Sequence, residues 1–210
     1  MTLHTILKLS MRWAAVCALV TGSVTGAALA QQPNPASAAN SSKPALPADS
    51  LYWLTVPLTD AQGKRFDLRD LAGRPVLVTM FYGDCNTACP IIMETLQQTM
   101  AALKLPASKL SVLMVSLDPL HDSPASLAQL GQTHHLDNKV FRLAVSSNDT
   151  HTRAMAAALD IKYRVLGGGE ISHTTRIALL DAGGKIVASS TELNTAPDQA
   201  FLKKIRLAVK

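Results

Sequence analysis

The fold of this protein is decided by residues 80–90, which read MFYGDCNTACP. The stretch begins in an apolar run, residues 75–81, that predicts a buried strand, and Pro90 is suited to the first turn of a following helix. Cys85 and Cys89 therefore lie at a predicted strand-to-helix junction. At such a junction the backbone N–H groups and the helix dipole favour the thiolate, which is the form that binds metals and attacks disulfides.

Residues 1–30 have the organisation of a signal peptide: two basic residues and no acidic one, an apolar stretch, and a final Ala-Leu-Ala. Cleavage there would remove Cys17 and leave Cys85 and Cys89 as the only cysteines. That pair suits an oxidising compartment such as a bacterial periplasm. The alternative is a retained membrane anchor, because the apolar stretch is near the lower limit of about 17 residues for a spanning helix.

Residues 31–50 predict a flexible linker, because they are rich in Pro, Ala, Ser and Asn and show no apolar period. The remainder, residues 51–210, has the length of one ordinary domain with its own core. The formal charge of the chain is +5, and loss of the two basic residues of the signal peptide leaves +3. A charge so small and scattered argues against a nucleic-acid partner.

Beyond the linker, the pattern predicts strands separated by helices, with a hairpin at each end. The predicted strands are 51–59, 65–68, 75–81, 110–117, 140–145, 175–180 and 186–189, and the predicted helices are 90–103, 123–134, 148–159 and 197–209. This order predicts an α/β fold with a mostly parallel central sheet, an N-terminal hairpin and a C-terminal β-hairpin plus helix.

A cysteine pair on the first strand-to-helix turn of such a sheet is the thioredoxin arrangement, and ligands bind at the carboxyl ends of its strands. One feature differs from ordinary thioredoxins. No proline lies between Pro124 and Pro197, so the cis-proline that thioredoxins place beside their dithiol is absent. The corresponding residues 170–175 read EISHTT and offer His173 instead.

With these motifs the chain resembles the Sco/SenC family of copper-binding, thioredoxin-like assembly factors for cytochrome oxidase. The resemblance covers most of residues 51–209. It depends on Cys-x-x-x-Cys-Pro at 85–90, Ser-x-Asp-Pro at 116–119, and the lone His173 before the final hairpin. Two positions differ from the family pattern: Asn86 stands where a proline is usual, and Ser172 where an aspartate is usual.

The resemblance implies a copper ion, Cu(I) or Cu(II), held by the sulfurs of Cys85 and Cys89 and an imidazole nitrogen of His173. It also implies thiol-disulfide exchange at the same two cysteines. The chemistry agrees, because two thiolates and an imidazole form a soft, low-coordinate set suited to Cu(I), whereas Zn(II) usually takes a fourth ligand. Oxidation of the pair to a disulfide would destroy the site, and reduction would restore it.

Each assignment has a structural alternative. The two cysteines could form a purely structural disulfide, although so short a loop constrains the unfolded chain little. His173 could simply line the sheet. Asp118 could shape the turn before Pro119 or support a metal ligand. His134 and the adjacent His135 could form a weak secondary metal patch near a helix end.

The leading functional hypothesis is an exported periplasmic protein that delivers copper to a cuproenzyme such as cytochrome c oxidase, or reduces its cysteines, during assembly. Its partner would be a cuproenzyme subunit or another copper chaperone, and a retained N-terminal segment would add membrane association. Two alternatives stay open: a metal-independent thiol-disulfide oxidoreductase acting through Cys85 and Cys89, and a copper or redox sensor module. His173 argues against the first alternative, since exchange without metal needs no imidazole there.

Overall fold

The computed structural model describes residues 45–85, 88–194 and 196–210. The predicted signal peptide with Cys17, most of the predicted linker and Asn86 lie outside these residues. Within the described ranges, no helix is long and apolar enough to cross a membrane.

The described part of the chain folds into strands and helices in the predicted alternation. The strands are β1 Leu58–Asp60, β2 Arg65–Phe66, β3 Val76–Phe81, β4 Ser111–Ser116, β5 Phe141–Ser146, β6 Tyr163–Val165, β7 Ile171–His173, β8 Ile177–Leu180 and β9 Ile186–Ser190. The α-helices are α1 Ala88–Leu103, α2 Pro124–Thr133, α3 Asp149–Ala158 and α4 Gln199–Ala208. Short 3-10 turns cover Leu51–Trp53, Leu68–Leu71 and Gly167–Gly169.

A seven-stranded sheet, ordered β2-β1-β5-β4-β3-β8-β9, forms the centre of the domain. Strands β3, β4 and β5 run parallel, and every other neighbouring pair of this sheet is antiparallel. The predicted α/β fold with a hairpin at each end and a closing helix is confirmed. In the described residues, however, the sheet is mixed rather than mostly parallel, since only two of its six neighbouring pairs are parallel. Parallel pairing is confined to the three central strands, because each hairpin enters the sheet through an antiparallel contact with the centre.

The two central strands β3 and β4 place the cysteine turn. Every residue of both strands is buried, which agrees with their continuous apolar sequences. They pair in register from Val76 opposite Ser111 to Phe81 opposite Ser116. Both strands therefore end at the same edge of the sheet, and the turn that follows β3 lies beside the loop that follows β4.

Residues 51–53 form a 3-10 turn, so the predicted first strand is wrong over this part. The Ser50 hydroxyl accepts a hydrogen bond from the Tyr52 N–H at 3.1 Å and donates one to the Gly183 carbonyl at 2.6 Å. These contacts tighten the backbone into a turn and attach it to the β8–β9 hairpin. Side-chain capping of this kind competes with strand pairing, and the extended part begins only at Leu58.

The helix ends follow local signals. Pro90 lies in the first turn of α1, as predicted. Ser123 caps α2, and its side chain accepts a hydrogen bond from the Ser126 N–H at 3.2 Å. The closing helix starts two residues later than predicted, because Asp198 is its cap and accepts from the Phe201 N–H at 3.0 Å.

Strands β6 and β7 were not predicted. They form a separate two-stranded sheet in which Tyr163 lies opposite His173. The Leu166 N–H donates to the Glu170 carbonyl at 2.7 Å and closes the hairpin. Strands of three residues carry too little alternation to stand out in the sequence, yet this hairpin holds His173.

Candidate metal centre

The structure brings three sequence-predicted residues together at the carboxyl edge of the sheet. Cys85 follows β3, Cys89 lies in the first turn of α1, and His173 ends β7. Their potential ligand atoms all lie within 4.8 Å of one another. Neither cysteine is in a disulfide in this structure. Among the described residues, no other group of three or more such side chains lies this close together.

Both cysteines are buried, and Cys85 is the more accessible residue, at 6% exposure against 2% for Cys89. The Cys89 N–H donates a hydrogen bond to the Cys85 sulfur at 3.3 Å. This amide belongs to the first turn of the helix, where N–H groups have no partner within the helix. The helix start therefore supports negative charge on the sulfur of Cys85.

Burial disfavours negative charge on the Cys89 sulfur, whereas the helix start supports negative charge on the Cys85 sulfur. Burial raises the pKa of the Cys89 thiol strongly, and a hydrogen bond with the Cys85 thiol adds to that rise. At Cys89, burial therefore outweighs the effect of the helix start and favours the thiol in the metal-free protein. Since metals bind the thiolate, loading the site must release the Cys89 proton.

His173 is prepared as a ligand by its position. Its Nδ1 lies 3.2 Å from the Thr174 carbonyl oxygen. A carbonyl oxygen only accepts hydrogen bonds, so Nδ1 carries the proton and Nε2 keeps its lone pair. Nε2 is buried and has no hydrogen-bond partner among the described residues. Burial also lowers the pKa of His173, which keeps the imidazole in the neutral form that metals bind.

Tyr82 forms an aromatic contact with the site and was missed from the sequence. Its ring meets that of His173 edge to face, with centroids 6.0 Å apart and an interplanar angle of 82°. Burial raises the pKa of the Tyr82 phenol, and a hydrogen bond with the Cys85 thiol contributes to that rise. Tyr82 therefore packs the imidazole and contacts one of the thiols. An aromatic residue at the end of a buried strand was the only signal in the sequence.

The loop after β4 shows what Asp118 does. Its N–H donates to the Ser116 hydroxyl at 2.9 Å, and its carboxylate lies 2.8 Å from Nδ1 of His121. Asp118 thus shapes this turn, in agreement with the simpler of the two sequence interpretations.

His134 and His135 sit at the end of α2, and His135 has a φ of +53°. Within the described ranges they belong to no group of three or more possible ligands. The predicted secondary metal patch gains no support from this geometry.

The fold and the site define the class of this protein: a thioredoxin-like α/β domain whose Cys-x-x-x-Cys turn faces a histidine from outside the main sheet. The sequence model of the SCO1/SenC family matches residues 55–210. The chain belongs to the SCO1/SenC family, which confirms the resemblance found in the sequence.

Known relatives are distant in sequence and similar in structure. A SCO1 protein homolog of Bacillus subtilis is 22% identical over 164 residues, which cover 76% of this chain and 85% of the relative. The copper-bound structure of Bradyrhizobium japonicum ScoI is 22% identical, with a TM-score of 0.61 over 71% of this chain and 96% of its own. BsSco, a Sco-family cytochrome c oxidase assembly protein with a disulfide switch, is 18% identical, with a TM-score of 0.64 over 74% and 92%. At these identities the structures establish the fold.

Proposed function

We propose that this chain is an exported copper-binding protein that takes part in the assembly of a cuproenzyme such as cytochrome c oxidase. It holds one copper ion through Cys85, Cys89 and His173. One observation carries the proposal: the buried Nε2 of His173 has no hydrogen-bond partner among the described residues and belongs to the cluster formed with the two thiols. A buried nitrogen without a partner is costly unless a ligand satisfies it.

The donor set favours copper over other common metals. Two sulfurs and one imidazole nitrogen are soft ligands, and three of them satisfy Cu(I), which accepts low coordination numbers. A structural zinc site would usually add a fourth protein ligand. Within the described residues, the cluster contains three. The copper bound by the Bradyrhizobium relative supports the same choice.

The cellular setting of the proposal comes from the N-terminal segment. Residues 1–30 would direct export to the periplasm, and residues 31–50 would link the domain to the membrane if the segment is retained. The partner would then be a cuproenzyme subunit or another copper chaperone. The role of BsSco in cytochrome c oxidase assembly supports this kind of partner.

Titration of the reduced protein with Cu(I) under anaerobic conditions tests the proposal. We expect one tightly bound copper per chain, and we expect the bound metal to protect both thiols from a thiol reagent. Protein with Cys85 and Cys89 alkylated beforehand is the control and should bind none. A parent protein that takes up no copper under these conditions would contradict the proposal.

A second function, reduction of a partner's disulfide, is supported by the different positions of the two thiols. Cys85 is the more exposed of the two residues, and its sulfur accepts a hydrogen bond from the Cys89 N–H. In this reaction the Cys85 thiolate attacks one sulfur of the partner's disulfide and releases the other as a thiolate. Cys89 then attacks the mixed disulfide, which leaves the partner reduced and the Cys85–Cys89 pair oxidised.

If the exchange reaction occurs, Cys89→Ser should trap a mixed disulfide with a partner protein through Cys85, because no second thiol remains to resolve it. Cys85→Ser should trap little, since Cys89 is buried and its pKa is raised. Non-reducing gels of cells expressing each variant measure the trapped species. The reverse pattern would show that Cys89 attacks first, and equal absence of trapping would contradict the reductase function.

A further inference from the structure

Asp122 contacts the cysteine turn from the loop between β4 and α2. Its Oδ2 accepts hydrogen bonds from the backbone N–H of Gly83, at 3.0 Å, and from the Ser116 hydroxyl. Gly83 lies two residues before Cys85, and Ser116 is the last residue of β4. One carboxylate therefore joins the segments that follow β3 and β4 at the edge of the sheet that carries the site.

The carboxylate of Asp122 occupies the space that a side chain on Gly83 would need. A Cβ atom on Gly83 would overlap Oδ1 of Asp122, well inside van der Waals contact. The glycine thus lets the carboxylate reach the backbone of the turn.

Ser116 extends this contact into the loop after β4. Its hydroxyl accepts a hydrogen bond from the Asp118 N–H at 2.9 Å and donates its own proton to Asp122. Consecutive hydrogen bonds of this kind strengthen one another in a partly buried setting. The turn that contains Gly83 and the loop after β4 are therefore fixed to each other just before Cys85.

We infer that Asp122 is a positioning residue for the metal centre: its carboxylate fixes the turn at Gly83 and so holds the Cys85 sulfur in reach of Cys89 and His173. The inference rests on the proposed function for its copper readout. Metal sites require ligand atoms held within about 0.5 Å of the productive geometry. Residues that orient metal ligands without binding the metal themselves typically contribute about 10- to 100-fold to metal affinity.

The test compares Asp122→Ala with Asp122→Asn in the purified protein. The alanine variant should lose about 10- to 100-fold in Cu(I) affinity. In the metal-free reduced protein, its Cys85 should also react several times faster with iodoacetamide. The asparagine variant should stay close to the parent in both, because its amide oxygen can accept from both the Gly83 N–H and the Ser116 hydroxyl, which share one oxygen of Asp122. Gly83→Ala, whose methyl group displaces the carboxylate from the turn, should change copper affinity and Cys85 alkylation in the same directions as Asp122→Ala. It tests the same contact if Asp122→Ala fails to fold.

Asp181→Ala is the matched control. Asp181 also accepts two backbone N–H groups, those of Gly183 and Lys185, but it lies in the β8–β9 turn next to Leu180, which pairs with the start of β3 at the opposite end of the sheet. Its loss should lower thermal stability without changing copper affinity or Cys85 alkylation. Unchanged copper affinity and alkylation in Asp122→Ala and Gly83→Ala would overturn the inference, as would equal effects of Asp181→Ala. If the parent binds no copper, the proposed function fails, and the alkylation rates alone still decide the role of Asp122.

Discussion

Replacement of either Cys85 or Cys89 by serine is expected to abolish tight Cu(I) binding. A hydroxyl is a hard and weakly acidic donor, so each variant would leave Cu(I) with one thiolate and one imidazole. His173→Ala should weaken binding by at least tens of fold, because it removes the nitrogen donor but keeps both sulfurs. Competition against a coloured Cu(I) chelator at fixed pH measures all three affinities.

His151→Ala is the control for these variants. His151 lies in the first turn of α3, where its Nδ1 is 2.7 Å from the Ser147 hydroxyl, and it belongs to no cluster of possible ligands in the described ranges. Its replacement should leave copper affinity unchanged. Copper binding by His173→Ala that is as tight as in the parent would show that the histidine is not a ligand, and retention of tight binding by a serine variant would remove that cysteine from the site.

Oxidation of Cys85 and Cys89 to a disulfide is expected to release bound Cu(I) completely. The two sulfurs already lie within 4.8 Å of each other, and a disulfide requires a separation of about 2.05 Å. Formation of that bond takes one electron from each thiolate, so both sulfurs lose the charge that holds the metal. With oxidised glutathione as the oxidant, each disulfide formed yields two molecules of reduced glutathione, and reduction should restore the site.

Equilibration in glutathione buffers, followed by alkylation and mass measurement, gives the fraction oxidised, and a Cu(I) chelator reports the metal released in the same samples. The fraction of protein that is oxidised and the fraction of copper that is released should rise together. Cys89→Ser cannot form the intramolecular bond and serves as the control. The expectation would be wrong if the disulfide formed while copper stayed bound, or if the pair stayed reduced in a strongly oxidising buffer.

Local signals explain why so much of this fold was predictable. The apolar run before Cys85, the Ser123-Pro124 start of α2 and the turn between β8 and β9 each act through neighbouring residues, and the structure agrees with them. The cysteine pair stood out because it follows an apolar strand and precedes Pro90, whereas its spacing alone would be a weak signal. His173 was identified from the family resemblance and the missing proline, since a lone histidine has no local pattern.

The sequence by itself thus determined the α/β order, the dithiol at the strand-to-helix turn and the three candidate ligands. Only the tertiary structure decided that Nε2 of His173 is buried without a hydrogen-bond partner among the described residues, that burial raises the pKa of Cys89, and that Asp122 bonds to the backbone of the turn at Gly83. These properties depend on burial and on contacts between residues about 40 to 90 positions apart in the chain. Periodicity and capping describe neighbours within one element, so they contain no information about which distant groups the folded chain brings together.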